Sequence, residues 1–144
     1  MRPERDVCES TAGPQKLEVS SCFACSPCNP RGMQLDFHEN EDGSMAAQWV
    51  PDEDFEGFRG ITHGGIVSTV LDEAMAKVVA ATGADAMTAE LRVRVRHEVS
   101  TGIPVVVRGW IESRERRIFR TEASLTGADG SELAHAWASF LVLK

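Results

Sequence analysis

The sequence predicts an α+β fold in which one long helix is wrapped by an antiparallel β-sheet, and three observations carry that reading. A single helical periodicity occupies the middle of the chain, strand-like alternation lies on both sides of it, and turn signals rather than helical crossovers join the strands that follow. At 144 residues the chain suits one domain with its own core, long enough to fold without disulfide staples.

Met1 to Ser20 mixes Arg2, Glu4, Arg5 and Asp6 with Pro, Ser and Gly, and reads as a flexible extension ahead of a domain spanning 21–144. After a Cys/Pro/Asn turn region from Ser21 to Gly32, Met33, Leu35 and Phe37 alternate with Gln34, Asp36 and His38, the period of a half-buried strand. A turn at Asn40–Gly43 sends the chain back through Met45, Ala47 and Trp49, completing a hairpin. The acidic, Gly-containing stretch from Pro51 to Gly60 reads as a loop. Then Ile66, Val67, Val70, Leu71, Ala74, Val78 and Ala81 recur at three- and four-residue spacing, predicting a helix from Gly65 to Ala81 with Gly83 as its stop.

Everything beyond Gly83 is strand-like. Met87, Ala89, Leu91, Val93 and Val95 alternate with Thr88, Glu90, Arg92, Arg94 and Arg96, the strongest period-two signal in the chain. Three further strands are predicted over Val105–Glu112, Ile118–Leu125 and Leu133–Val142, separated by turn-rich segments.

The bulk composition narrows the function. A formal net charge of −7 argues against duplex nucleic acid or an anionic membrane surface as partner, since both reward clustered Lys and Arg. No apolar run approaches the length of a membrane helix, and Met1–Ser20 has no apolar core of a secretory signal, so a cytoplasmic setting without membrane insertion is expected. In that reducing setting Cys8, Cys22, Cys25 and Cys28 are expected as free thiols. The C-x-x-C-x-x-C spacing of the last three also suits zinc or an iron–sulfur cluster with Cys8 or His38 as fourth ligand, but a structural loop with no metal is the favoured reading.

The most specific pattern lies around the start of the predicted helix. Phe55-Glu56-Gly57, Gly60, His63-Gly64-Gly65, Asp72 nine residues after the His, and Thr88-Ala89-Glu90-Leu91 on the following strand stand in fixed order. Upstream, Cys22-Phe23-Ala24-Cys25-Ser26-Pro27-Cys28-Asn29-Pro30-Arg31-Gly32-Met33 adds a fourth element. Together these resemble the PaaI-type thioesterases of the hotdog superfamily, and the likeness runs from Cys22 to the C-terminus. The chain departs from that pattern in adding Cys28, in Ser26 where the motif has Gly, and in Glu98 where a Pro is common.

The resemblance implies a hotdog fold that hydrolyses acyl-CoA thioesters to free acid and CoA. It implies that the Gly64 N–H polarises the thioester carbonyl beside His63 and Gly65, and that Asp72 attacks the thioester carbon or activates water to do so. It further implies that Thr88 helps to hold that water, that Arg96 and His97 meet CoA phosphates, and that Asn29 contacts substrate. No metal or redox cofactor is implied, CoA being part of the substrate.

The physical chemistry of these residue types is coherent by itself. A free N–H at a helix N-terminus, reinforced by the helix dipole, suits an oxygen that becomes negative. Glycine lets the carbonyl approach closely, because no Cβ intervenes. A carboxylate bordering an apolar stripe is poorly hydrated, which raises its pKa and makes it a better base. Glu73, turned by about 100° from Asp72, is the reserve base and otherwise a helix-surface residue. His63 has a plain alternative as a capping residue, Thr88 as an ordinary strand residue, and the arginines as a solvated strand face.

Asp72 stands about 13 Å of helical rise beyond His63, too far for one acyl carbon to touch both in a single subunit. An obligate homodimer is therefore expected, with homotetramers built as dimers of dimers left open. A noncatalytic acyl-CoA-binding or sensing domain is the second reading. A hotdog dehydratase is disfavoured, because no His-Phe-Pro type segment is present.

Overall fold

The computed structural model describes residues 21–144, so the extension expected over 1–20 lies outside the described residues. In chain order the elements are β1 (His38–Glu39), β2 (Met45–Trp49), β3 (Glu56–Phe58), β4 (Ile61–Thr62), α1 (Gly64–Ala80), β5 (Ala86–Val95), β6 (Val105–Glu115), β7 (Ile118–Gly127) and β8 (Glu132–Val142). Six of the strands form an antiparallel sheet in the order β1-β2-β6-β7-β8-β5, and α1 packs across one face of it. This is the helix-wrapped α+β arrangement that the periodicities predict.

The apolar stripe of α1 supplies Val67, Val70, Leu71, Met75 and Val79, which meet Val107, Phe119, Leu125 and Phe140 from the sheet. Burying each such side chain contributes about 1.5–3 kcal/mol, so this seam outweighs any intrinsic helix preference in fixing where α1 lies. The helix approaches closest over Gly109 of β6. A Cβ there would stand 2.6 Å from both the backbone carbon and oxygen of Ala74, so glycine is required by the helix–sheet distance itself.

Several sequence expectations need correction. The Met33–Phe37 alternation does not form a strand, and pairing is confined to His38 and Glu39. The amides of Met33 and Leu35 instead donate to the carbonyls of Phe23 and Ala24, and Gln34 takes a positive φ of 54°, which breaks an extended run. The apolar residues still face the core, with Leu35 buried, so the burial period was genuine and the partner was misjudged.

The expected loop at 51–60 holds a 3-10 turn, Glu53–Phe55, and then a small ribbon of β3 and β4. The helix begins and ends one residue earlier than expected. Strands β6 and β7 run past their expected ends, joined by a tight turn in which Arg116 has a φ of 54°.

The largest correction concerns β5. Thr88 pairs with Phe140 and Glu90 with Ser139, so Ala89 is an extra residue with no partner of its own, a β-bulge. Phe140 is buried, and pairs on one strand face share that face, so the bulge moves Thr88 onto the helix side together with Leu91 and Val93. Met87 is correspondingly turned out, 54% exposed. The alternation read from Met87 through Val95 therefore holds only from Leu91 onward.

The expectation of free thiols also fails in part. Cys28 is disulfide-bonded, Cys22 and Cys25 are free, and Cys8 lies outside the described residues.

Candidate active site

The ribbon formed by β3 and β4 is a cradle for the residue that starts α1. The Phe55 carbonyl accepts from the His63 amide at 2.9 Å, and the Glu56 carboxylate accepts from the Gly60 amide at 2.9 Å. Gly60 has a φ of 75°, which glycine adopts without strain. A Cβ on Gly57 would lie 3.3 Å from the His63 Cα, so the ribbon and the histidine pack backbone to backbone. The spacing of Phe55-Glu56-Gly57 and Gly60 thus has a local reason: the segment fixes His63.

His63 is the N-cap of α1. Its Nδ1 accepts from the Gly65 amide at 2.9 Å, which leaves the neutral ring's proton on Nε2. A Cβ on Gly65 would stand 3.0 Å from that Nδ1, so glycine admits the ring. The amides of Ile66 and Val67 both donate to the His63 carbonyl. Of the amides in the first helical turn, that of Gly64 alone has no bond among the described residues. Gly64 is exposed, and nothing lies within 4 Å of where its Cβ would be. An unpaired N–H at the positive end of a 17-residue helix, with open space before it, is an anion donor in waiting.

Asp72 lies eight residues along the same helix, on the side facing β5. The Thr88 hydroxyl donates to Asp72 Oδ1 at 2.8 Å, a contact that the bulge at Ala89 makes available. Burial pushes the Asp72 carboxyl above its ordinary range, and the Thr88 hydrogen bond works against that rise. The result is a desolvated carboxylate held in one orientation by a neutral donor, with a hydroxyl oxygen beside it whose lone pairs remain open to water. Thr88 thus orients the Asp72 carboxyl, a contact distinct from the expected one to water.

The other expected site residues fall elsewhere. Arg96 pairs with Glu132 at 3.3 Å, and the amides of Arg96 and His97 both donate to the Leu133 carbonyl at the end of β5. Asn29 spends its side chain within the cysteine loop, donating to the Ser21 carbonyl and accepting from the Arg31 amide. Neither group touches Asp72 or His63 in the described contacts. Arg92 is not merely solvated: its guanidinium stacks 4.4 Å from the Trp137 ring on the outer sheet face.

A cluster that the sequence did not assemble lies one residue beyond Asp72. Glu73, the reserve base, faces the cysteine loop, with Cys22 Sγ 3.9 Å from its Oε1. Burial pushes the Cys25 thiol up to about 12, with the Glu73 hydrogen bond and charge adding to the effect. Lys77, one turn on, is raised too: burial opposes its charge, but Cys25, Glu73 and Cys22 together outweigh that.

One long helix laid across an antiparallel sheet is a hotdog arrangement, and comparison with known proteins agrees. The sequence profile of the thioesterase superfamily matches residues 59–134, more than half of the chain. The chain belongs to that superfamily.

An acyl-coenzyme A thioesterase of Xenopus laevis, THEM4, is 28% identical over 108 residues, covering 75% of this chain and 48% of its own length. The chain thus spans about half of that curated relative. Among solved structures, the thioesterase superfamily protein RHA08564 superposes with a TM-score of 0.80 at 23% identity, covering 84% of this chain and 63% of its own. The Escherichia coli PaaI protein from the phenylacetic acid degradation operon gives a TM-score of 0.72 at 11% identity, over 78% of this chain and 81% of its own.

Proposed function

We propose that the protein hydrolyses acyl-CoA thioesters to free carboxylic acid and CoA. The observation that carries the proposal is the division of labour along α1: an unpaired, exposed Gly64 amide at its start and a desolvated Asp72 held by Thr88 on its side. In the proposed reaction the thioester oxygen accepts from the Gly64 N–H, with the His63 Nε2–H alongside. Ionised Asp72 takes a proton from water as the water attacks the carbonyl carbon. The tetrahedral intermediate then collapses, and the C–S bond breaks to release CoA thiolate, which is protonated. Direct attack by Asp72 Oδ2 on the carbon, forming an anhydride that water then opens, is the alternative first step. Neither route needs a metal or redox cofactor at the reacting atoms.

The two halves of the site are too far apart along one helix to share a carbonyl, so the working unit is proposed to be a homodimer. A feature of the sheet supports this. Among the described residues strand β5 ends the sheet and pairs only with β8, and it exposes Met87 at 54%, Leu91 at 37% and Val95 at 49% along its length. A ten-residue free edge carrying exposed apolar side chains invites pairing with a second copy, and it lies beside the Thr88–Asp72 contact. Assembly of such dimers into tetramers is compatible with this edge being spent. Arg96 and His97, at the end of that strand, remain the proposed contacts for CoA phosphates, and Asn29 a proposed contact near the cysteine loop.

No helix among the described residues is long and apolar enough to cross a membrane. A cytoplasmic setting is proposed on the free thiols of Cys22 and Cys25, with the Cys28 disulfide standing against it.

The test is a panel of acyl-CoAs with thiol detection, run on the native chain and on Asp72→Asn. Hydrolysis by the native chain is expected, with the variant slowed about 10²- to 10⁴-fold, the usual contribution of a positioned base. Binding of acyl-CoA by a native chain that releases no thiol would establish the sensing-domain reading instead.

A further inference from the structure

We infer that Cys22, Cys25 and Glu73 form a binding site for a soft divalent cation, zinc foremost, that clamps the cysteine loop to helix α1. One ligand atom from each of the three residues lies within 4.8 Å of the others, with Cys22 Sγ and Glu73 Oε1 at 3.9 Å. In a tetrahedral zinc site, bonds of about 2.3 Å to sulfur and 2.1 Å to oxygen put neighbouring ligands about 3.6 Å apart. No separation here therefore has to close by more than about 1 Å, within reach of side-chain rotation alone.

The loop is built to present both sulfurs to one point. The Ser26 amide donates to the Cys22 carbonyl at 2.9 Å, closing a turn around Phe23-Ala24-Cys25. The carbonyls of Phe23 and Ala24 are anchored in turn by the Met33 and Leu35 amides, and Ala24 is buried. The two sulfurs thus sit on a fixed turn, and the carboxylate comes from a helix 51 residues away in sequence. Two thiolates with one carboxylate select zinc over magnesium or calcium, which prefer all-oxygen shells.

Charge supports the assignment. Two thiolates and a carboxylate around a dication leave one net negative charge, and Lys77, whose charge interacts with Cys25, Glu73 and Cys22, stands ready to offset it. The fourth position falls to water. Cys28, spent in a disulfide, and His38, on β1, take no part, so the ligand set differs from the three-cysteine cluster that spacing suggests. Glu73 is turned by about 100° from Asp72, which places the cation off the reacting atoms. Its role is to hold the loop against the helix that carries the acid.

Cobalt reports on such a site directly. The chain, purified without added reductant under argon, is titrated with Co²⁺ and then Zn²⁺ while its absorption is recorded. The expected result is a thiolate-to-cobalt charge-transfer band that saturates at one equivalent per chain and is bleached by one equivalent of Zn²⁺. Cys22→Ser and Cys25→Ser are each expected to weaken binding more than about 100-fold, and Glu73→Gln about tenfold with the thiolate band retained. Cys28→Ser is expected to bind as the native chain does. Absence of the band in the native chain overturns the inference, and that measurement stands even where a variant fails to fold. So does an unchanged affinity in Cys22→Ser, Cys25→Ser or Glu73→Gln, or loss of binding in Cys28→Ser. The readout is binding, so it is independent of acyl-CoA hydrolysis.

Discussion

Replacing Thr88 with Val removes one hydroxyl, keeps the shape of the side chain, and tests whether Asp72 works as an ionised base. The lost bond is the donation from Thr88 Oγ1 to Asp72 Oδ1 at 2.8 Å, between partly buried groups. Hydrogen bonds to charged groups contribute about 1.5–3 kcal/mol, and the partial exposure of this pair places it near the lower end, so a loss of about tenfold in kcat/KM is expected at neutral pH. The sign of the pH effect follows from the same bond. Burial raises the Asp72 carboxyl and Thr88 opposes the rise, so removing Thr88 raises it further. Ionised Asp72 then becomes scarcer as pH falls, and the acidic limb of kcat/KM moves to higher pH.

Stability moves in the linked direction. An acid raised by folding contributes stability that is fully present below its unfolded value and is lost as pH rises through its folded value. Thr88→Val is therefore expected to cost more stability at neutral pH, where the carboxylate loses its donor, than at acidic pH, where Asp72 is protonated. The assay is a kcat/KM profile against pH on one acyl-CoA, paired with denaturant melts at neutral and acidic pH. An acid limb at the native position, with kcat/KM within twofold throughout, would refute the assignment of Thr88 as the group that fixes the base.

Two other substitutions test the framework. Gly109→Ala puts a Cβ 2.6 Å from the Ala74 backbone, so helix and sheet must part by most of an ångström; a stability loss of at least about 1–3 kcal/mol is expected by chemical denaturation, with activity falling as Asp72 moves with the helix. Leu91→Lys places a charge on the free edge of β5 and is expected to shift the chain toward monomer in sedimentation analysis while abolishing hydrolysis; a monomeric variant with native activity would show that one chain holds a whole site.

What the sequence disclosed and what it withheld divide along a physical line. The position of α1 within one residue, the long strands after it and the order of His63, Gly64 and Asp72 were legible, because each depends on a local period or on spacing along one helix. Met33–Phe37 misled because alternation reports burial, whereas a strand also needs a neighbour; here the Cys22–Gly32 loop supplies the hydrogen bonds instead. The Glu73 cluster was hidden because its members come from segments that only the fold brings together. Gly109 had no signal beyond being a glycine within a strand pattern, a residue that often marks close backbone approach.

The bulge at Ala89 shows most clearly how a site can escape the period that surrounds it. Read by alternation, Thr88 belongs with Glu90 and Arg92 on the outer face, where it could not meet α1. One unpaired residue reverses the faces at that point, so the strand presents Thr88 to Asp72 and carries Leu91 and Val93 on that same face. The same strand is an edge of the sheet among the described residues. The acid is therefore positioned by an edge strand that a second chain can join, while its own helix carries the Gly64 amide about 12 Å of rise away. If each chain's amide serves its neighbour's acid, pairing of β5 edges is what completes two sites at once, and a chain that cannot pair should bind acyl-CoA poorly and hydrolyse none of it.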